Sequence, residues 1–197
     1  MLGMYLKGEL IMDKIEFVIY SKSFAPMITK IINDNVRFYR FNETIKWRFG
    51  YDEDIRIMAG CNRNSNLITI NLKSIMEAYY AKDNLTIEYF LLHEIRHAFQ
   101  NSIIANYKEG KEIPIDEEIV KSWIKEGQNY IKSCDEDGKE NEQYFLQDSE
   151  LDAYAFSFAV MKYKYKDVSN LFLPKVYGDN FFEIVTFWIE TFKNEQL

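Results

Sequence analysis

The sequence predicts an α+β fold, with a small twisted sheet in the first half and helices throughout the second half. Three short segments rich in strand-forming residues occur before residue 73, and only helical periodicity recurs after residue 106. The chain has 197 residues, of which 47% are hydrophobic, while Gly (8) and Pro (3) are scarce. Such a chain can bury one sizeable core, and its composition excludes disordered and collagen-like proteins. We therefore expect a single domain over residues 1–197, with a sheet-and-helix half (1–105) and a helical half (106–197).

Apolar periodicity and turn-like polar clusters divide the chain into elements. Apolar residues at helical spacing predict a first helix over residues 23–41. Three strands, forming a mixed or antiparallel sheet, are predicted over residues 44–49, 55–58 and 66–72. Five more helices are predicted, over residues 73–81, from a cap within 83–86 to about 105, 116–133, 144–165 and 181–193. The strand at 66–71 would be an edge strand, which could hold an extended peptide by strand addition.

The charge and the cysteine content indicate which kinds of partner the protein can bind and in which cellular compartment it is expected. Against 24 Lys and Arg the chain carries 31 Asp and Glu, a net charge of −7, whereas nucleic-acid binding depends on positive charge. Cys61 and Cys134 form neither a disulfide framework nor a metal-binding spacing, so a reduced, cytoplasmic setting is expected. No stretch approaches the roughly 18 apolar residues that cross a bilayer, and the first 14 residues lack the apolar core of a signal peptide. We expect no nucleic-acid partner and no membrane association.

The only two histidines of the chain stand four residues apart, in the sequence His93-Glu94-Ile95-Arg96-His97. On a helix, positions 93 and 97 lie on one face, so both imidazoles can reach one metal ion about 2 Å from each nitrogen. Glu94 projects beside them, where it can take a proton from a water whose pKa zinc lowers to about 7. Apolar residues on both sides of the motif indicate a buried helix. The spacing predicts a zinc site with Glu94 as general base; two core histidines without a metal are the alternative.

A zinc site needs a third protein ligand, and without a third histidine this ligand must be a carboxylate. Asp148, Glu150 and Asp152 open a helix that then becomes apolar on every side. At about 100° per residue Asp148 and Asp152 share a face, while Glu150 lies about 200° from each, so only one face can point at the metal. Small residues on the face of Glu150 would let the histidine helix approach closely, which favours Glu150. The rival assignment makes Asp148 the ligand, and all three could also be a solvated first turn.

With these residues the sequence resembles the gluzincin metallopeptidases, in which a Glu on a later helix completes an HExxH zinc site. It is most similar to the ImmA/IrrE-type peptidases and related phage and mobile-element proteins, over roughly residues 67–159. The resemblance rests on His93, Glu94 and His97, followed by Glu150-Leu151-Asp152-Ala153. It implies a zincin-like fold, in which a small twisted sheet and an active-site helix precede a helical half. It also implies one Zn²⁺ held by His93, His97 and Glu150.

The sequence departs from the family pattern at Arg96, where many relatives have Gly, and at Tyr154, where Asp or Asn is usual. Peptide hydrolysis also needs a group that stabilises the oxyanion. Without a third histidine the candidates are Tyr154, one turn beyond Glu150, and Arg96. Asp152 is a candidate partner of Arg96 or of a ligand histidine, which it would orient.

We therefore expect a cytoplasmic, zinc-dependent peptidase acting on a protein or peptide substrate, with an endopeptidase favoured over an exopeptidase. The alternative is a non-catalytic, metal-stabilised binding or regulatory module of a phage or mobile element. Intact Glu94 disfavours this alternative, because a purely structural site does not need it. A third hypothesis is a metal-free helical interaction protein, which elemental analysis would separate from the other two.

Overall fold

The computed structural model describes residues 5–6, 9–10, 14–39, 44–134, 139 and 141–196. A short antiparallel pair, a three-stranded sheet and seven helices form within these residues. In chain order the elements are β1 (Tyr5–Leu6), β2 (Glu9–Leu10), α1 (Lys14–Tyr39), β3 (Lys46–Gly50), β4 (Ala59–Asn62), β5 (Leu67–Asn71), α2 (Leu72–Tyr80), α3 (Asn84–Lys108), α4 (Glu117–Gln128), α5 (Glu142–Phe145), α6 (Asp148–Lys164) and α7 (Asp179–Asn194). The α+β prediction, with a small sheet and a mostly helical remainder, is confirmed.

The three-stranded sheet has the order β3–β5–β4, with β3 parallel and β4 antiparallel to the central β5. The sheet is thus mixed, which is one of the two predicted forms. Ile68 and Ile70 of β5 are buried, and the strands on both sides of β5 satisfy its backbone. The expectation that residues 66–71 form an edge strand is therefore wrong. The edge strand that packs against α3 is β4.

Residues 55–58, predicted as a strand, form a turn at 55–56 and irregular chain at 57–58, and β4 begins at Ala59. The Asp54 carboxylate accepts hydrogen bonds from the backbone and side chain of Arg56, and the Ile57 N–H donates to the Asp54 carbonyl at 3.1 Å. The Asn71 side chain donates to the carbonyls of Asp54 and Ile57. These local bonds offer the backbone an alternative to strand pairing, which the apolar pattern does not reveal.

Most predicted helices are present, with shifted ends. Helix α1 begins at Lys14 instead of residue 23, because Phe17 and Tyr20 extend its apolar face onto the core, and Pro26 lies inside it. Its predicted end at residue 41 lies outside the described residues. Helices α2 and α7 lie within two residues of their predicted ends, whereas α4 stops at Gln128 instead of residue 133.

The helix predicted over residues 144–165 is two helices, α5 and α6, with a break at Gln147. The Gln147 side chain accepts from the N–H of Ile131 at 3.0 Å and donates to its carbonyl at 3.1 Å. At the start of α6, the Glu126 carboxylate of α4 accepts from the N–H groups of Asp148 and Ser149. Since the first N–H groups of a helix have no partner within it, Glu126 supplies the missing acceptors and fixes where α6 begins.

Helix α3 runs through the centre of the molecule and packs along α6. It begins after Asp83, whose carboxylate accepts from the N–H of Thr86, as predicted. Both helices are buried on nearly every side, and one hydrophobic cluster joins residues of α1, the sheet and α2 to residues of α6 and α7. In the described part of the chain, no helix is long and apolar enough to cross a membrane.

Glu88 of α3 lies in a buried polar cluster. Its carboxylate accepts from the Lys164 ammonium, from the Tyr165 hydroxyl at 2.6 Å and from the Asn35 amide at 2.7 Å. A buried carboxylate requires such partners. Because the partners come from α1 and from the end of α6, Glu88 ties both helices to α3.

Candidate metal centre

Helices α3 and α6 bring together three side chains with metal-binding atoms. His93 Nε2 and His97 Nε2 lie 3.0 Å apart, and Glu150 Oε2 lies 3.3 Å from the first and 3.2 Å from the second. The four-residue spacing places both rings on one face of α3, as predicted. Glu150 comes from the first turn of α6, which packs directly against this face. No other group of three potential metal ligands occurs within the described residues.

The geometry of this group fits a metal ion. Zinc lies about 2.0–2.2 Å from imidazole nitrogens and carboxylate oxygens, so neighbouring ligands of a tetrahedral ion stand about 3.3–3.4 Å apart. The three observed separations, 3.0, 3.2 and 3.3 Å, approach this range. The site is also buried, since Glu150 is 1% and His93 2% exposed. Burial favours a cation there, because an isolated carboxylate would be costly to bury.

Gln100 determines which nitrogen of His97 faces the group. Its amide nitrogen donates to the Ser149 carbonyl at 2.9 Å and to Asp152 Oδ2 at 2.8 Å, so its Oε1 must accept from His97 Nδ1, 2.8 Å away. With the proton on Nδ1, neutral His97 presents an unprotonated Nε2 to the other two ligand atoms. A hydrogen bond of this kind is the usual support of a metal-binding histidine. The Nδ1 atom of His93 is buried with no partner among the described residues.

The second carboxylate oxygen of Glu150 faces a tyrosine. Tyr130 Oη donates to Glu150 Oε1 at 3.2 Å, and the ring of Tyr144 lies beside that of Tyr130, with centroids 6.1 Å apart. Burial and the nearby Glu150 charge raise the pKa of both phenols, so they remain protonated donors at neutral pH. Oε1 of Glu150 is therefore held by a phenol, and Oε2 faces the histidines.

The charges within the group perturb the pKa values of its members. Burial disfavours the imidazolium of His97, but the Glu150 carboxylate outweighs burial and, together with Glu94, raises the pKa of His97 to about 9. Burial likewise disfavours the charged form of Glu150, yet His97 and His93 hold its pKa well below the usual value. Without a metal, His97 and Glu150 thus form a buried ion pair at neutral pH.

Arg96 and Asp152 form an ion pair beside this centre, on another face of α3. Arg96 donates to Asp152 from Nε at 2.8 Å and from Nη2 at 3.1 Å. The guanidinium lies 4.5–4.9 Å from the ring centroids of three aromatic residues: Phe99, Phe156 and Trp188. Asp152 also accepts from Gln100, so it is linked to His97 through one amide. The proposed pairing of Asp152 with Arg96 is thus found in the structure, and its link to His97 is indirect.

Asp148 lies away from the metal-binding group, although the sequence left it as a rival ligand. The three carboxylates follow the predicted helical faces: Glu150 points to the histidines, while Asp152 and Asp148 point to the opposite side of α6. There both line a cavity of about 860 Å³. The structure therefore favours Glu150 over Asp148 as the third ligand.

Glu94, His97 and Glu150 open onto a cavity of about 450 Å³. Its wall includes His97 and Glu150, Tyr130, and residues 59–61 of the edge strand β4. Glu94 is 8% exposed and lines this wall without being one of the three converging ligands. A carboxylate in this position can exchange a proton with a molecule in the cavity while the histidines hold an ion.

Tyr154, the predicted oxyanion stabiliser, packs behind the centre. Its ring centroid lies 4.1 Å from that of His93, and its other ring neighbours include Tyr89 and Tyr177. Burial and the neighbouring Tyr89 and Glu150 raise its pKa well above the usual value. Tyr154 is not among the residues that line the 450 Å³ cavity, so its catalytic role stays a prediction.

Sequence reasoning missed three residues of this centre: Gln100, Tyr130 and Tyr144. Gln100 had a detectable signal, because it stands one helical turn after His97 on the same face. Tyr130 and Tyr144 had none, because they approach Glu150 from a loop and from the short helix α5, whose positions depend on the tertiary fold.

Comparisons of the chain with family models, with curated proteins and with solved structures find no match. The resemblance to gluzincins therefore stays a prediction from the sequence motif.

Proposed function

We propose that this chain is a zinc-dependent peptidase with a zincin-like fold, in which Glu94 is the general base. The proposal rests on one observation: His93, His97 and Glu150 converge beside a cavity that Glu94 also lines. A structural metal site has no use for a further carboxylate facing a cavity, whereas a hydrolytic site requires one. Neither described cysteine is in a disulfide, which fits the reduced, cytoplasmic setting that we propose.

Each residue of the site would have its own role in hydrolysis. Zinc, when bound there, would supply a Lewis acid that lowers the pKa of a water to about 7. Glu94 would accept the proton of the attacking water and later deliver it to the leaving amine. His93, His97 and Glu150 would hold the ion, and Gln100 would keep the His97 ring oriented. Tyr130 would prevent Glu150 from rotating.

The edge strand β4 offers a binding mode for an extended peptide. Within the described residues β4 pairs with β5 alone, and residues 59–61 of β4 line the same cavity as Glu94. Unpaired backbone groups of an edge strand can bond to an added strand. The middle of a peptide bound along β4, and not one of its ends, would lie beside Glu94. This arrangement favours an endopeptidase.

Two phenols are candidates to stabilise the oxyanion. Tyr154 was predicted from the sequence, and it packs on His93. Tyr130 lines the cavity itself, but its one hydroxyl proton is donated to Glu150 and would have to turn from Glu150 to an oxyanion. The Arg96 guanidinium is held by Asp152 and faces the larger cavity, so we do not assign it this role.

Replacement of Glu94 tests the proposal. We expect about one zinc ion per chain by elemental analysis, and cleavage of a peptide library by the purified protein. Glu94→Gln should keep the zinc and lose activity by about 10²–10⁴-fold, because an amide cannot accept the proton. Glu109→Gln, at the exposed end of α3, is the control.

The possible outcomes separate the hypotheses. Equal cleavage by the wild type and Glu94→Gln would overturn the role of Glu94. A wild type that holds zinc but cleaves nothing would favour the metal-stabilised binding module. Protein purified without any bound metal would favour the metal-free interaction protein.

The binding mode along β4 has a separate test in the substrate. Single N-methyl groups along a cleaved peptide should impair cleavage at every second residue, because alternate N–H groups of an added strand face β4. Uniform impairment, or none, would contradict strand addition and leave the assignment of Glu94 untouched.

A further inference from the structure

A second cavity, which we call the acidic groove, lies on the other side of α6 from the metal-binding group. Its volume is about 860 Å³. Helix α4 and helix α7 supply its two walls, and side chains of α3 and α6 lie between them. Most of its surface is apolar, with Ile119 from α4, Leu151 from α6, and Ile184, Phe187 and Trp188 from α7. Phe187 is 60% and Ile119 47% exposed, so large apolar side chains of both walls face solvent.

The charges lining the groove are almost all negative. Five carboxylates line it: Asp116, Asp148, Asp152, Glu183 and Glu195. The only cation among the described lining residues is Arg96, which is buried and paired with Asp152. Asp116, Asp148 and Glu183 therefore face the groove without a lining cation to balance them.

We propose that the acidic groove binds a basic amphipathic helix of a partner protein. Walls made of helices 12 and 16 residues long extend about 18 and 24 Å, which matches three to four turns of a bound helix. The apolar side chains would receive anchors spaced at i, i+3, i+4 and i+7, and the carboxylates would pair with Lys or Arg on the flanks of that helix. A second copy of this chain is disfavoured, because it carries a net charge of −7.

The charge pattern also distinguishes a helix from a small apolar ligand. A neutral ligand would cover the aromatic side chains and leave Asp116, Asp148 and Glu183 next to a low-dielectric surface, which is unfavourable. A basic helix satisfies both parts of the groove at once. This inference does not depend on peptidase activity, since none of the three metal ligands lines the groove.

Intrinsic fluorescence gives a direct test in the full-length protein. Two of the three tryptophans, Trp123 and Trp188, line the groove, and Trp47 lies on β3 outside it. The probe is an 18-residue synthetic peptide without Trp, with Leu at i, i+3, i+4 and i+7 positions and Lys elsewhere. We expect a saturable fluorescence change with a dissociation constant on the order of micromolar at physiological salt. Two control peptides replace all Leu by Ser or all Lys by Glu, and neither should bind.

Variants on exposed positions locate the binding. Glu183→Lys reverses one charge of the groove, and Phe187→Ser removes an exposed apolar contact; each should weaken binding by about tenfold or more. Glu77→Lys, on the exposed face of α2, makes the same charge change elsewhere and should leave affinity within about twofold. Circular dichroism checks that each variant is folded.

Several results would overturn the inference. They are absence of saturable binding, equal binding of the Ser peptide, and equal losses in Glu183→Lys and Glu77→Lys. A concentration-dependent dimer that Phe187→Ser abolishes would assign the groove to a second copy instead.

Discussion

The two oxygens of Glu150 have different partners. This difference explains why Glu150, of the three candidate carboxylates, is suited to be the third metal ligand. Oε2 faces both histidines, while Oε1 accepts from Tyr130. Neither Asp148 nor Asp152 has this arrangement, because their helical face points to the acidic groove. A ligand fixed in this way loses little rotamer freedom when it binds an ion.

Single alanine variants at the three carboxylates should separate their roles. We expect Glu150→Ala to lose zinc, because only two protein ligands remain. Asp152→Ala should weaken zinc binding by about 10–100-fold at most, through the loss of its support of Gln100 and hence of His97. Asp148→Ala is the matched control and should leave zinc bound. Full zinc content in Glu150→Ala would refute the assignment.

The pKa of His97 predicts how metal binding and stability depend on pH. In the metal-free fold this pKa is about 9, so zinc must displace a proton from His97 at any lower pH. The apparent zinc affinity should fall by about tenfold per pH unit below 9 from this residue alone. A chelator competition titration between pH 6 and 9 measures the slope. A flat profile would show that His97 is not a ligand.

The metal-free protein should show the opposite trend. A raised histidine pKa stabilises the folded state fully below the ordinary value of 6.5, and the contribution disappears as the pH rises through 9. The depressed pKa of Glu150 adds stability above its usual 4.5 that is lost in acid. Denaturant midpoints with a chelator present should therefore decline between pH 6.5 and 9. His97→Ala should lack this decline.

At the residue scale, the sequence predicts what local geometry determines. The spacing of His93 and His97 fixes a common helix face, and Glu94 follows from the motif. Glu150 could be distinguished from Asp148 because helical faces are predictable once a helix is assumed. The partners of Glu150 could not be predicted, since Tyr130 stands 20 positions earlier in the chain and meets Glu150 only through the tertiary fold.

Among the elements, β3 and β5 are held close together at one glycine. A Cβ atom added to Gly50 would lie 2.6 Å from Thr69 Cγ2, whereas one added to Gly60 on β4 would meet nothing within 4 Å. Gly50→Ala should therefore destabilise the fold by about 1–3 kcal/mol, by the strain of overpacking. Gly60→Ala, the control, should be nearly neutral. Urea unfolding monitored by circular dichroism measures both.

A second substitution checks the cause of this effect. Thr69→Ser removes the Cγ2 methyl and keeps the hydroxyl that accepts from Arg48. Combined with Gly50→Ala, it should recover most of the lost stability, because the clashing atom is absent. If the double variant loses the sum of both single effects, the clash is not the reason.

The ends of helices and strands were predictable where the apolar periodicity determines them. They were not predictable where hydrogen bonds from polar side chains determine them. Helices α2 and α7 follow their apolar faces closely. The prediction of a strand over residues 55–58 is wrong because the side chains of Asp54 and Asn71 form hydrogen bonds with the backbone there. The break before α6 was missed because Gln147 bonds to Ile131, a residue 16 positions earlier. Such hydrogen bonds between side chains and the backbone depend on residues that only the tertiary fold brings together.

At the scale of the whole molecule, metal binding should stabilise the fold, because its ligands lie on two central helices. Zinc that binds only the folded state adds about 2.7 kcal/mol at a free concentration 100 times its Kd. For a chain of this size that energy corresponds to a rise in Tm of about 5–10 °C. Calorimetry with zinc or with EDTA measures the shift. Glu94→Gln should keep it and His97→Ala should lose it; a shift in His97→Ala would place the metal elsewhere.

The separation of the ligands along the chain also sets when the centre can form. His93 and His97 are synthesised early, and Glu150 follows His97 by 53 residues on α6. Since chains are made from the N-terminus, the nascent protein holds two imidazoles and no third ligand until α6 has been translated and has docked on α3. Metal capture is then one of the last events of its biogenesis. A ribosome-bound chain stalled before residue 148 should acquire no zinc, so the growing polypeptide would carry no occupied metal site.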